Sequence, residues 1–142
     1  MAFNNYDPEK VIVTWNGIII DGFADGTFFS VSMNEAAFNL TKGADRESTR
    51  TKSNNLSAQA TATLMQTSSA NALLYAAHAL DLVTGTNNGP LLVEDILNGE
   101  TLFSANAWIM QYPDVEFGKE SSTREWNFEI DEIIPTGNVL SA

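Results

Sequence analysis

Two sets of side chains alternate along the C-terminal part of the chain. From position 125 onward, polar residues occupy the odd positions and apolar residues the even ones: Glu125, Asn127, Glu129 and Asp131 against Trp126, Phe128 and Ile130. A period of two places neighbouring side chains on opposite faces of a β-strand. The pattern predicts a strand with one core face and one acidic face. The preceding run Thr101–Tyr112 predicts a second strand, which pairs with the first through the loop Pro113–Thr123.

The rest of the pattern predicts a mainly β chain with one helix. Val11–Trp15 and Ile18–Ile20 flank Asn16-Gly17, a dipeptide that favours a tight hairpin turn because both central residues need positive φ. Turn residues and alternation predict further strands at Thr27–Met33, Ala58–Met65 and Leu91–Ile96, with Asn98-Gly99 as a second candidate hairpin turn. A helix is predicted from a cap at Ser68 or Ser69 to about Val83, before the stop signal Thr84–Pro90.

The connection between the strands that end near Met33 and begin near Ala58 is unusually long. It covers residues 34–57, whereas connections beyond about 12 to 15 residues inside a compact domain are usually functional or disordered. Four of the seven basic residues lie in it: Lys42, Arg46, Arg50 and Lys52. Two interpretations stay open, a solvated flexible loop and an electropositive assembly arm that docks on an acidic neighbour.

Composition narrows the class of protein. A length of 142 residues with 44% hydrophobic residues fits one domain with an ordinary core. The net charge of −11 argues against nucleic-acid binding, since phosphate contacts need clustered lysine and arginine. The absence of cysteine excludes disulfides and thiolate sites. The start MAFNNYDPEK does not have the pattern of a Sec signal, and no apolar run approaches membrane-spanning length. We expect a soluble single-domain protein (residues 1–142) made in a cytoplasm.

Residues that carry enzyme chemistry are sparse. His78 is the single histidine and lies on the predicted helix, where a packed or surface histidine is more typical than a catalytic base. Without a second histidine or any cysteine there is no zinc site of the usual kind. The carboxylates Glu129, Asp131 and Glu132 fit a solvated acidic face better than an acid–base pair or a calcium cluster. We expect no catalytic residue, no metal site, no cofactor and no enzyme activity.

Five ordered blocks of sequence carry a family resemblance. They are GFADGTFFSVSMNEAAF (Gly22–Phe38), KGADRESTRTKSNN (Lys42–Asn55), TATLMQTSSANALL (Thr61–Leu74), GPLLVEDILNGETLFSANAWI (Gly89–Ile109) and PDVEFGKESSTREWNFEID (Pro113–Asp131). Together they resemble the tail tube proteins of contractile-tailed bacteriophages, the phage structural protein family, from about Val11 to Ile133. The chain departs from that pattern at Asp45-Arg46-Glu47, where relatives often have Asp-Gly-Glu, and at Ser53-Asn54-Asn55, where an aspartate commonly closes the triplet.

The resemblance implies an architecture. Proteins of this family form hexameric rings that stack into a hollow tube, and the sheets of the subunits join edge to edge into a continuous barrel around a channel. Ring closure removes the liability of unpaired strand edges. By analogy the sheet of each subunit comprises the strands near Thr27–Met33, Ala58–Gln66, Thr101–Tyr112 and Thr123–Asp131, with the helix Ser69–Val83 packed outside it. The long arm after Met33 would contact the adjacent subunit or the next ring.

In such a tube the acidic strand face acquires a role. The residues expected to line the lumen are Gln59, Thr61, Thr63, Asn127, Glu129 and Asp131. A negative wall cannot bind DNA through counterion release, and its repulsion is screened within about 8 Å, so it mainly keeps DNA from sticking. The alternative interpretation places this face on the exterior of the tube, where it adds solubility.

The implied function is structural: a tube protomer that conducts genomic DNA into the host when a surrounding sheath contracts. The implied partners are further copies of the chain and the tail sheath, baseplate hub, tape measure and tail terminator proteins. DNA passes without specific binding, and the chain does not insert stably into a membrane. Its place is the virion tail, after assembly in the host cytoplasm. Two alternatives stay open, the inner tube of a phage-like contractile injection system that carries no DNA and a monomeric acidic β-sandwich that binds sugars or calcium.

Overall fold

The computed structural model describes Phe3 and residues 5–137 of the chain. A short 3-10 turn at Pro8–Lys10 precedes the first strand. The strands and the helix in the described residues are β1 (Val11–Trp15), β2 (Ile18–Ile20), β3 (Phe29–Met33), β4 (Phe38–Lys42), β5 (Ser48–Lys52), β6 (Ala58–Met65), α1 (Ala70–Thr84), β7 (Gly89–Asp95), β8 (Glu100–Ile109), β9 (Thr123–Ile130) and β10 (Ile134–Thr136). The predicted class, mainly β with one helix, is confirmed. Within the described residues, α1 is neither long nor apolar enough to cross a membrane.

The turns show why the chain reverses where it does. Trp15 pairs with Ile18 across the β1–β2 hairpin, and both Asn16 (φ 49°) and Gly17 (φ 81°) have the positive φ that a type I′ turn requires. The β7–β8 hairpin is also present, but its connection covers residues 96–99, because Asp95 pairs with Glu100. Gly99 therefore ends a longer loop with φ 77°, in place of the two-residue turn suggested by Asn98-Gly99.

One large antiparallel sheet organises the subunit. Its strand order is β2-β1-β7-β8-β9-β6-β3, and β10 pairs with β8 outside this path. Strand β8 pairs with β7 from Glu100 to Ala107 and with β9 from Ala107 to Ile109, so it belongs to both halves of the sheet. The two halves face each other across the core, where the rings of Trp15 on β1 and Phe128 on β9 meet edge to face with centroids 5.4 Å apart. The fold is a sandwich in which β8 passes from one layer to the other.

The alternation predicted along β9 is the basis of the core. Trp126, Phe128 and Ile130 are fully buried, and the small residues Ala58, Ala60 and Ala62 of β6 lie beside them. The side chains of Leu64 on β6 and Leu74 on α1 are also buried in this core. Small alanines next to large aromatics let the layers interdigitate closely, as protein interiors require.

The helix is attached to this core by a polar contact. The indole Nε1 of Trp126 donates to Asn71 Oδ1 at 3.0 Å, and Asn71 Nδ2 donates to the carbonyl of Met65 at 2.9 Å. The hydroxyl of Ser68 accepts the N–H of Ala70 at the helix start, and Gly85 ends the helix with φ 68°. The helix therefore covers the apolar face of β9 and leaves the polar face free.

Residues 34–57 contain two strands that the sequence patterns did not predict. Strands β4 and β5 form a separate antiparallel hairpin, and all ten of their residues are exposed. At its tip the N–H of Gly43 donates to the carbonyl of Glu47 at 2.7 Å. Arg46 occupies the turn with φ 72°, a conformation that non-glycine residues seldom adopt. The long connection is a projecting hairpin, which we call the β4–β5 arm.

Candidate assembly surfaces

The polar side chains of β6 and β9 form one continuous surface. The strand register pairs Gln59 with Glu129, Thr61 with Asn127 and Thr63 with Glu125. Directly opposed residues share a face of the sheet. The hydroxyl of Thr61 donates to Asn127 Oδ1 at 3.0 Å, which links the two strands on this side. We call this surface the polar face.

The polar face continues onto both neighbouring strands. Ser30 and Ser32 of β3 lie opposite Thr61 and Gln59, and Trp108 of β8 lies opposite Glu129. Five of the six residues that the sequence predicts to line a lumen lie on this face: Gln59, Thr61, Thr63, Asn127 and Glu129. Asp131 follows the end of β9, where its N–H donates to the carbonyl of Asn106 at 3.1 Å. The assignment of this face to a lumen stays a prediction.

The polar face is electronegative because Arg124, the one cation on β3, β6 and β9, lies on the opposite face of the sheet. Across β3, β6 and β9, all within the described residues, it presents hydroxyl, amide and carboxylate groups, with Met65 at one end, and no lysine or arginine. Arg124 lies on the opposite face, 5% exposed, where its guanidinium donates to Ser122 Oγ at 2.8 Å and to the carbonyl of Thr123 at 3.0 Å. A surface of this chemistry stays hydrated and repels phosphate.

The sheet ends in open edges. β3 pairs with β6 on one side, and it is the last strand of the sheet in the described part of the chain. At the other end of the polar layer, the pairing of β8 with β7 stops at Ala107, opposite Gly89, while β8 continues to Ile109. Unpaired N–H and C=O groups on an exposed strand are a template for pairing with another chain. The run β8-β9-β6-β3 therefore has a full open edge at β3 and a short one, Trp108–Ile109, on the β7 side of β8.

The β4–β5 arm has two chemically different faces. The pairs Phe38 with Lys52, Leu40 with Arg50 and Lys42 with Ser48 share one face, whereas Asn39, Thr41, Thr49 and Thr51 form the other. The guanidinium carbon of Arg50 lies 3.8 Å from the centroid of the Phe38 ring. Three of the four cations predicted to act in assembly thus lie on the apolar face, and the fourth, Arg46, lies in the turn at the tip. Their role in assembly stays a prediction.

The residues considered for enzyme chemistry lie apart from these surfaces or within the polar face. His78 is 5% exposed and packs edge-on against the ring of Tyr112, with centroids 4.6 Å apart. It is a packed residue of α1. Among the described residues, no three His, Cys, Asp or Glu side chains are grouped to hold a metal ion.

Two apolar clefts were not predicted from the sequence. One has a volume of about 690 Å³ and is lined largely by residues 8–26 together with Phe28 and Met65. The other, of about 410 Å³, includes Val31, Met33 and Leu102. Each joins segments that are distant along the chain, so no local pattern signals it. The exposed apolar side chains Ile12, Ile19 and Met65 were the available hint for the larger cleft.

The chain matches a protein family over most of its length. The family model described as Bacteriophage PhiTE tail tube protein matches residues 19–136. The chain is also similar to the structural protein ORF10 of Pseudomonas phage KPP10, with 30% identity over 131 residues. That match covers 87% of this chain and 76% of the relative.

Solved structures of contractile systems share the fold. The tube terminating cap of the anti-feeding prophage superposes with a TM-score of 0.66 at 11% identity, covering 96% of this chain and 94% of that one. A chain of the sheath/tube terminator of the PVC extracellular contractile injection system gives 0.64 at 11% identity, with coverages of 95% and 99%. A chain of the PVC sheath-tube complex gives 0.61 at 13% identity, with coverages of 94% and 92%. At such low identities the likeness concerns the fold alone.

Proposed function

Because the chain belongs to the tail tube family of bacteriophages, we propose that it is the protomer of a phage tail tube that conducts genomic DNA. Hexameric rings of the protein stack into a hollow tube, which is driven into the host when a surrounding sheath contracts. Membership of a structural family favours a role without catalysis.

The observation that carries this proposal is the run of four strands β8-β9-β6-β3. It has an open edge along β3, a short stretch of β8 beyond the pairing with β7, a buried apolar face covered by α1, and a polar face on which the described strands place no cation. Joining the edge of β3 to the edge of β8 in the next copy is a heterologous contact, which closes into a ring when the rotation allows it. Six copies supply about 24 strands, and barrels of about 16 strands or more leave an aqueous channel.

The polar face then lines the channel. Its proposed lumen residues are Gln59, Thr61, Thr63, Asn127 and Glu129, which share one side of β6 and β9, together with Asp131, which follows β9. Duplex DNA gains affinity where lysine and arginine release its counterions, and this face has none to offer. Repulsion by the carboxylates acts over about 8 Å at physiological salt. The wall therefore holds no DNA and lets the genome slide.

The other surfaces suit the remaining contacts of a tube. The cations Lys42, Arg46, Arg50 and Lys52 place the β4–β5 arm against an acidic neighbouring subunit. Outside, α1 exposes the apolar side chains of Leu73, Leu80 and Val83, a surface for the tail sheath. The further proposed partners are the baseplate hub, the tail terminator and the tape measure protein. The protein assembles in the host cytoplasm and resides in the virion tail.

A second candidate function is the inner tube of a contractile injection system that carries no DNA. The shared fold with the chains of two such systems favours it. Cryo-electron microscopy of particles purified with the protein separates the two functions. DNA-filled heads on the tails support the phage tube, and headless particles support the injection system.

Assembly itself is tested with the purified protein. Negative-stain images and light scattering at micromolar concentration are expected to show rings or hollow tubes. A monomer that persists across salt and protein concentration, with no tube in any particle, contradicts the proposal. That result would instead support a monomeric β-sandwich binding module.

The lumen is tested by a charge reversal. The double variant Glu129→Lys, Asp131→Lys is expected to form rings, since neither the half-buried Glu129 nor the exposed Asp131 belongs to the apolar core, but to present phosphate-binding sites along the channel. Phage carrying it should eject DNA more slowly, and high salt should relieve the defect. The matched control Glu94→Lys, Glu100→Lys makes the same charge change in the other layer of the sandwich. Ejection at the parental rate by the first variant would exclude these two side chains from the lumen.

A further inference from the structure

The apolar face of the β4–β5 arm is left largely uncovered by the described residues of its own subunit. Phe38 is 46% exposed and Leu40 is 64% exposed, although both side chains lie on the same side of the hairpin. The guanidinium of Arg50 stacks on Phe38 at 3.8 Å, a cation–π contact that holds the charge over the ring. Lys52 lies opposite Phe38 in the register. The face therefore combines two apolar side chains, Phe38 and Leu40, with the cations Lys42, Arg50 and Lys52.

The larger cleft of the subunit has the complementary chemistry. Its volume is about 690 Å³, within the range that holds several side chains. Its wall includes the exposed apolar residues Ile12, Ile19 and Met65. Three carboxylates belong to the same lining, those of Glu9, Asp21 and Asp25. The described lining contains no lysine or arginine and no residue of the β4–β5 arm.

The arm and the cleft lie at opposite ends of the same strand pair. The arm leaves the sheet where Met33 pairs with Ala58. The cleft lies at the far end of β6, where the N–H of Met65 donates to the carbonyl of Gly22 at 2.8 Å and Phe23 bridges to Leu64. The eight residues of β6 separate these ends by about 24 Å at the usual rise per residue. A contact between the arm of one copy and the cleft of another is therefore head-to-tail, and such contacts repeat along a filament.

The smaller cleft does not have this property. It includes Val31 and Met33, which lie at the end of β3 from which the arm departs. Its two carboxylates are those of Asp95 and Glu100. An arm docked there would contact a copy near the base of that copy's own arm, so it would not link the opposite ends of successive copies in the way the larger cleft does.

We infer that the apolar and cationic face of the β4–β5 arm docks into the larger cleft of a second copy of this chain, the cleft lined largely by residues 8–26 together with Met65. Phe38 and Leu40 enter the apolar part, and Arg50 and Lys52 pair with the carboxylates of Glu9 and Asp21. The contact holds successive rings together. This inference rests on the proposed tube function, and it adds the acceptor surface and the direction of stacking.

The test uses two variants of the full chain. In each, the charge of one of the two docking surfaces is reversed, so that the surface repels its proposed partner. Arg50→Glu, Lys52→Glu reverses the arm, and Glu9→Lys, Asp21→Lys reverses the cleft. All four residues are exposed, so each variant is expected to fold, which circular dichroism and the thermal midpoint check. Each variant alone should need at least about tenfold more protein to form tubes than the parent.

The decisive measurement combines the reversed arm with the reversed cleft. Rings of each variant, formed separately and then mixed in equal amounts, should stack into tubes, because in alternating rings each reversed arm meets a reversed cleft and each parental arm meets a parental cleft. The chain with all four substitutions should assemble within about threefold of the parental concentration. The control Thr49→Glu, Thr51→Glu places glutamates on the other face of β5 and should leave stacking near parental.

The outcomes separate the inference from the function on which it rests. If the parent forms tubes and each variant assembles as readily as the parent, the docking is overturned and the tube function stays intact. The same holds if neither the mixture nor the chain with all four substitutions recovers assembly. A control that blocks stacking as strongly as the reversed arm would overturn the assignment of the face. Absence of rings and tubes in the parent would overturn the tube function, and the docking with it.

Discussion

Two antiparallel strand pairs of this subunit, β6–β9 and β4–β5, differ in what stabilises them. In β6–β9 every second side chain is buried, among them Trp126 and Phe128, and the pair forms the centre of the sandwich. In β4–β5 the same kind of pairing occurs with all ten residues exposed. Alternation along a strand therefore has two meanings here. In one pair it separates core from solvent, and in the other it separates an apolar, cationic face from a neutral one.

The energetic consequence is a division of stability within one chain. Full burial of a large apolar side chain contributes about 1.5–3 kcal/mol, so β6–β9 supplies much of the free energy of folding. An isolated two-stranded hairpin is marginally stable in water. The β4–β5 arm therefore contributes little to the stability of the isolated subunit. We expect its two faces to be stabilised by the contacts between subunits proposed above.

The largest expected effect tests this division directly. Trp126→Ala removes a fully buried indole and its hydrogen bond to Asn71, which should lower the free energy of unfolding by about 3–5 kcal/mol. The matched variant Phe38→Ala removes an aromatic ring of the arm and should change it by less than about 0.5 kcal/mol. Chemical denaturation of both variants measures the difference. Equal losses would mean that the arm is part of the cooperative core.

The same division explains what the sequence predicts well. The alternation along β9 and β6 follows from burial of one face, so both strands are visible in the pattern. The helix outside the sheet was implied by the family resemblance, and the long pairing of β6 with β9 is a feature of the fold that alternation does not specify. The β1–β2 turn is visible because Asn16-Gly17 satisfies a backbone requirement. These features depend on neighbours in sequence or on a single core.

The arm and the cleft escape prediction for physical reasons. In β4 and β5, the cations Lys42, Arg50 and Lys52 occupy the same face as Phe38 and Leu40. A pattern that separates apolar from charged residues therefore shows no period of two. The available signal was the alternation of Asn39, Thr41, Thr49 and Thr51 around a tight turn. The cleft combines the start of the chain with the far end of β6, a proximity that only the fold creates.

A smaller effect is expected where the two regions contain the same residue type. Asn71 is 7% exposed and joins α1 to Trp126 and to the carbonyl of Met65. Asn71→Ala leaves the buried indole N–H without its partner and should cost about 1–3 kcal/mol. Asn39→Ala on the exposed face of the arm should cost less than about 0.5 kcal/mol. Thermal and denaturant unfolding compare the pair, and a loss below that of Asn39→Ala would show that Asn71 does not hold the helix to the core.

The smallest expected effect lies at the tip of the arm, where backbone conformation and side chain disagree. Arg46 has φ 72°, which costs an L-residue about 1–2 kcal/mol, whereas glycine adopts it freely but loses about 0.5–1 kcal/mol of chain entropy on folding. Arg46→Gly should therefore stabilise the arm by about 0–1 kcal/mol and leave global unfolding unchanged, because the arm opens independently of the core. Hydrogen exchange at the N–H of Gly43, which donates to Glu47 at 2.7 Å, reports this local opening and should slow by up to about fivefold. The control Arg46→Ala removes the same charge and keeps a Cβ at positive φ, so its exchange should stay near parental. Equal slowing in both variants would assign the effect to the lost charge and remove backbone strain as its cause.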